Sequence, residues 1–138
     1  MADELEKGTR IRRSILGDAH VDRSWAATTW FSTPFQEYVT RNVWEEVWGQ
    51  PTMAPGVRRL MTLCMLSALN RGEEYKLHVR AALDAGLTVA DLREVVMMTL
   101  VYAGVPAANS AIKWAEEVFD AHGVDVESAA QQRPTFAP

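Results

Sequence analysis

Cysteine is nearly missing from this chain. One residue, Cys64, occurs among 138, so no disulfide framework forms within it. Its surroundings, Leu60-Met61-Thr62-Leu63-Cys64-Met65-Leu66, are apolar enough to raise its pKa and shield it, which argues against a nucleophilic thiol. Long hydrophobic runs are missing too, and none is long enough to span a membrane. The charged start, Asp3-Glu4-Leu5-Glu6-Lys7, does not read as a signal peptide. With the lone thiol, these features fit a reducing cytoplasm. Positive charge is in deficit: 14 Lys and Arg stand against 18 Asp and Glu, leaving a formal charge of -4. That balance gives no electrostatic footprint for nucleic acid. The one basic cluster, Arg10, Arg12 and Arg13, closely follows Asp3, Glu4 and Glu6. The chain has no glycine-rich phosphate loop, nucleophile elbow, internal repeat or low-complexity linker. Sustained period-two alternation is absent as well, which removes the case for strands.

What is present is helix after helix. The length suggests one domain over residues 1–138, all-α, with six to seven helices. A charged opening helix over 3–16 stops at Gly17, and a shorter one follows from Asp18 through His20 to about Ala27. Thr33-Pro34-Phe35-Gln36 reads as a capping box with proline at the first helical position. The helix it opens places Phe35, Tyr38, Val39, Val43 and Val47 near helical spacing and ends at Gly49. Pro51 and Pro55 precede a more apolar helix at about 56–70. Asn70-Arg71-Gly72 then breaks to the helix carrying Glu74 and His78, which ends at Gly86. Thr88-Val89-Ala90-Asp91 caps a helix over 89–103, with Leu92, Val95, Val96, Thr99 and Leu100 facing inward. After Gly104 the last helix runs from about Pro106 to Ala121, and the tail over 125–138 is expected to be loose or packed on a neighbour. The 89–103 helix is apolar around more than half its girth, which favours a homo-oligomer with helical interfaces. Trp25, Trp30, Trp44 and Trp48 crowd into two dozen residues as core, interface or pocket lining, with the core the first expectation.

Chemistry concentrates at Glu74 and His78. Four apart on a helix, the carboxylate and imidazole lie on one face, either as a surface pair or as an acid-base site. His20 is a turn residue or a second site histidine, whereas His122 complements the dipole of the last helix. No second carboxylate-histidine set accompanies the first, so a metal site is not expected. Glu45 and Glu46, like Glu73 and Glu74, are adjacent and point apart. Acid-base chemistry without a cofactor remains.

From about Gly8 to Phe119 the chain resembles the carboxymuconolactone decarboxylase family of an alkylhydroperoxidase-D-like helical superfamily. The resemblance rests on Arg12-Arg13 with Leu16-Gly17-Asp18-Ala19-His20-Val21; on Pro34-Phe35-Gln36; and on Trp44 with Glu46-Val47-Trp48. Arg58 with Leu60, Glu74 with His78, and Tyr102 through Asn109 complete it. The redox members of that superfamily carry two cysteines where this chain has Arg71 and Glu74, so peroxidase chemistry is out. The resemblance implies decarboxylation of 4-carboxymuconolactone to 3-oxoadipate enol-lactone in protocatechuate catabolism. No metal or cofactor is implied, the partner being a small carboxylated lactone and the assembly a trimer or hexamer. It also implies His78 as proton or hydrogen-bond donor, Glu74 as its orienting base, and Arg12, Arg13, Arg58 and His20 around the substrate. Arg12 and Arg13 alternatively form a solvated helix face. Glu45, Gln50, Thr52, Met53, Arg59 and Tyr75 depart from the family pattern. The four around Trp48 (Glu45, Gln50, Thr52 and Met53) favour a second reading, a relative recruited to another acid-base step on a lactone, enone or polyketide-like substrate. A third is a helical oligomer that binds without turnover.

Overall fold

Two short helices meet at Gly17 in the computed structural model, which describes residues 1–138: α1 (Ala2–Leu16) and α2 (Asp18–Ala26). Gly17 takes φ 88°, a left-handed value costly for residues with a β-carbon, so the turn falls where the glycine is. The chain is all-α, with seven α-helices, and separates into two compact units, Met1–Pro55 and Gly56–Pro138.

In the first unit α1 buries Gly8, Arg12, Ile15 and Leu16. Helix α3 (Thr33–Val39) continues without a break into a π-wound segment, Thr40–Trp48. Two side-chain bonds lie at its start. Thr40 Oγ1 donates to the Gln36 carbonyl at 2.7 Å and Asn42 Nδ2 to the Tyr38 carbonyl at 2.9 Å. Thr9 makes the same bond to the Leu5 carbonyl within the α-wound α1, so these bonds accompany the π-winding and do not by themselves produce it. The inward stripe expected here is not what is buried. Phe35, Tyr38, Val43 and Val47 are exposed, while Thr40 and Trp44 are buried. The expected capping box does not form either: the helix starts one residue earlier, with Ser32 at its cap. The Thr33 hydroxyl instead donates to the Thr29 carbonyl at 2.8 Å. Of the four crowded tryptophans only Trp44 is buried; Trp30 is 89% exposed, contrary to a core role.

The second unit holds α4 (Pro55–Ala68), α5 (Gly72–Asp84), α6 (Val89–Ala103) and α7 (Val105–His122). Leu63, Tyr75, Val79, Leu92, Val95 and Phe119 centre its core. Asn70 supplies the left-handed residue between α4 and α5, at φ 58°. On α6 the expected capping box is present: Thr88 accepts from the Asp91 amide, and Asp91 accepts from the Thr88 amide. Leu92, Val95 and Thr99 are buried and Val96 and Leu100 half-buried, while Met97, Met98, Val101 and Tyr102 remain exposed.

The tail is not loose. Asp91 accepts from the Thr135 amide at 2.7 Å and from its hydroxyl at 2.5 Å, and Val89 N–H donates to Gln132 Oε1 at 3.0 Å. Polar composition concealed this, because the partners lie 44 residues away. Burial opposes charge on Asp91, but hydrogen bonds from Thr135 and Thr88 outweigh it and hold the carboxyl below its ordinary range. A depressed folded pKa gives stability that is present above the ordinary value of 3.8 and lost as pH falls through the folded value. Asp91→Asn is therefore expected to cost about 1–2 kcal/mol, the scale of a lost cap. It should also free Thr135 amide exchange at neutral pH, as acidification through the lowered folded value should for the native chain. Unchanged exchange at Thr135 in Asp91→Asn would dismiss the carboxylate as the tail's anchor.

Candidate active site

Helix α5 opens at Gly72 with Glu73 and Glu74 in its first turn, where acids suit the helix dipole. Glu74 is exposed and holds no ion pair, whereas Glu73 and, from α7, Glu117 both hold Lys76, at 2.9 and 3.2 Å. One turn beyond Glu74 stands His78, half-buried, with the core residues Tyr75 and Val79 on another face of the helix. At this spacing the β-carbons lie about 5–6 Å apart, so rotation of the carboxylate brings it to the imidazole. The pair thus combines a half-sheltered imidazole with an acid still available to it.

In the first unit the α1 arginines separate sharply. Arg13 is partly exposed and bound to Asp22 at 2.6 Å and Asp18 at 3.5 Å, which is the solvated-face reading. Its hydrogen bond to Asp22 raises its pKa. Arg12 is only 6% exposed and points the other way, because successive helical residues diverge by about 100°. Its Nη1 donates to Gln36 Oε1 at 3.0 Å, and its guanidinium carbon lies 6.0 Å from the centre of the Trp44 ring. Burial lowers its pKa. Trp48 continues the aromatic wall, its ring 5.6 Å from that of Trp44.

The other expected site residues are placed as follows. His20 is half-buried on α2, its Nε2 3.5 Å from Ser24 Oγ. Arg58 is half-buried in the first turns of α4. Its neighbour Arg59, a departure from the family pattern, is 4% exposed; burial lowers its pKa and the attraction of Asp84 opposes that. Glu45, another departure, holds Lys7 at 2.9 Å, a structural use for a residue standing where glycine is common. Arg12, Arg13 and His20 therefore belong to the first unit, and Arg58, Glu74 and His78 to the second.

Sequence reading missed Gln36 and Trp44 as partners of Arg12. Both stood inside quoted motifs, yet a contact spanning 24 residues leaves no periodic signal. Tyr75, a further departure, is fully buried with its hydroxyl unpartnered, and burial pushes its pKa well up, with the Cys64 thiol adding to the shift. Burial likewise raises Cys64, in line with an inert thiol. Two hollows of the second unit avoid Glu74 and His78. One of about 440 Å³ is lined by Lys76, Leu77, Arg80, Glu117 and His122. An apolar one of about 350 Å³ lies between α6 and α7, against Leu92, Val96, Met97, Ile112 and Phe119. No helix is long and apolar enough to cross a membrane.

The sequence pattern of the carboxymuconolactone decarboxylase family matches residues 33–117. A 4-carboxymuconolactone decarboxylase of Acinetobacter baylyi is 38% identical over 129 residues, covering 92% of this chain and 96% of the relative. A nitrosuccinic acid decarboxylase of Metarhizium robertsii is 32% identical over 108 residues, 78% of this chain and 76% of that protein. A 4-carboxymuconolactone decarboxylase of Pseudomonas putida is 46% identical over 37 residues, covering 27% of this chain and 77% of the relative.

Proposed function

The chain belongs to the carboxymuconolactone decarboxylase family, and on that premise we propose that it is a carboxy-lyase acting on 4-carboxymuconolactone. The observation that carries this reading is the 38% identity to a decarboxylase of that name along nearly the whole of both chains. The product is 3-oxoadipate enol-lactone. The substrate carries its departing carboxylate on the ring carbon gamma to the lactone carbonyl. As carbon dioxide leaves, the electron pair spreads through the ring double bond onto the lactone oxygen, so the ring is its own electron sink. The protein has to keep that carboxylate poorly solvated, stabilise the oxygen charge and protonate the carbon alpha to the carbonyl.

His78 is the donor in this scheme, and Glu74 turns to orient its ring and favour its charged form. Half-burial of His78 and the unpaired carboxylate of Glu74 support these roles. Arg12, Arg13, Arg58 and His20 surround the substrate in the same reading. Arg12 has the best claim of the two α1 arginines, because Arg13 is already held by two acids. The exposed Met97, Met98, Val101 and Tyr102 of α6 support a homo-oligomer; a trimer or hexamer in the cytoplasm belongs to the same reading.

Freshly generated 4-carboxymuconolactone should release carbon dioxide and yield the enol-lactone, identified by mass, when the enzyme is added. Failure of the folded protein to do so would transfer the proposal to the recruited relative. A specific observation favours that second reading: the family relative that is 32% identical is named for nitrosuccinic acid, a different substrate. Gln50, Thr52 and Met53 depart from the family pattern in the same short stretch, so nitrosuccinic acid belongs in the same assay.

A further inference from the structure

Around Arg12 the donors outnumber the acceptors. Arg12 and Trp44 are each 6% exposed, and both Arg12 Nε and Trp44 Nε1 are buried without a hydrogen-bond partner. Both orphans are N–H donors, and buried donors are rarely left unmet without a functional reason. The protein acceptor that Arg12 does have, Gln36 Oε1 at 3.0 Å, is neutral. Five acids of this unit are engaged by other cations, Glu6 by Arg10, Glu45 by Lys7, Asp18 and Asp22 by Arg13, and Glu37 by Arg41, and no carboxylate pairs with Arg12. A buried guanidinium with one unmet donor, 6.0 Å from the centre of an indole that carries another, suits a flat, two-oxygen anion.

We propose that Arg12, Trp44 and Gln36 form the subsite for the carboxylate that the substrate keeps, with Gln36 the residue that leaves the arginine's charge available. This rests on the decarboxylase reading. The departing carboxylate is the wrong occupant. A cation bound to it would stabilise the ground state and lose its partner as carbon dioxide forms, raising the barrier. The retained carboxylate keeps its charge throughout and anchors the substrate at no such cost. The subsite therefore selects acids with a second carboxylate over their mono-acid analogues.

Gln36→Glu tests this with almost no change of shape. The new carboxylate occupies Arg12 from within the chain. Succinate serves as an unreactive di-acid probe in calorimetry, alongside turnover of the lactone. Native protein should bind succinate, and Gln36→Glu should bind it at least about tenfold more weakly, the scale of one charge-assisted hydrogen bond. KM for the lactone should rise by a similar factor, with kcat changed less. Trp44→Phe, which keeps the ring and removes one donor, should weaken succinate in the same direction and covers the case of a misfolded Gln36→Glu. If the native protein ignores succinate, or both variants bind it equally well, the orphan donors hold only water and the subsite is wrong. Loss of succinate binding in the variants, in a protein that never turns over the lactone, would keep the subsite and reject the decarboxylase. Lactone turnover with an unmoved KM in Gln36→Glu would do the reverse.

Discussion

His78→Ala is expected to lose turnover of 4-carboxymuconolactone by about a hundredfold or more, the usual contribution of a positioned general acid, while its melting temperature stays close to native. The two halves of that expectation come from different faces of α5. Tyr75 and Val79 fill the core, and truncating half-buried His78 removes neither. A hundredfold corresponds to about 2.7 kcal/mol of barrier, more than a surface glutamate-histidine pair on a helix contributes to stability, which is a few tenths of a kcal/mol. The imidazole's chemistry therefore outweighs its structural value. His78→Gln divides the two chemical roles. It retains a hydrogen-bond donor for the lactone oxygen but delivers no proton, so activity well above that of His78→Ala assigns the histidine to the oxygen. Equal losses assign it to the carbon. A His78→Ala protein with native turnover would remove His78 from the mechanism. Were binding also intact and no turnover detectable in either protein, the non-catalytic binding oligomer would be the surviving account.

The parts of this fold that were legible in the sequence are those set by one residue at one place. Gly17 ends α1, the Thr88–Asp91 box starts α6, and Gly104 separates α6 from α7. Each acts within a turn of itself, so no long-range knowledge is needed. The π-wound segment was not legible, because reading a helix from sequence assumes 3.6 residues per turn, and the wider winding buries Trp44 where that period puts Val43. The tail was not legible because its hold is tertiary, through Asp91 and Thr135. For the candidate site, Glu74 and His78 could be placed one turn apart on a single helix from spacing alone, since helical periodicity carries that information. Arg12 and Arg13 could not be told apart in the same way. They are neighbours in an acidic-basic run, and what distinguishes them is a wall contributed by residues 24 and 32 positions later, Gln36 and Trp44.

That wall depends on how closely α1 approaches the π-wound segment, and Gly8 is expected to show it. A β-carbon at Gly8 would stand 2.1 Å from the Thr40 carbonyl oxygen and 2.9 Å from its carbon, a backbone obstacle that no rotamer removes. Overpacking of this kind costs about 1–3 kcal/mol and sometimes more, whereas replacing a helical glycine with alanine gains only about 1 kcal/mol in propensity. The clash should win, and Gly8→Ala should lower stability in urea by about 2 kcal/mol. Gly56→Ala is the control. Its β-carbon would meet the Phe136 ring edge at 2.8 Å, a side chain in the tail that can turn aside, so its loss should be much smaller. The consequence for function follows from helical spacing. Arg12 lies one turn after Gly8 on the same buried face, and Trp44 one turn after Thr40. Prising the backbones apart at Gly8 and Thr40 therefore draws the guanidinium away from the indole, and succinate binding should fall in Gly8→Ala even where the protein remains folded. A stable Gly8→Ala with native succinate affinity would mean that the two segments do not approach this closely, and that the spacing of Arg12 and Trp44 is not set by the glycine.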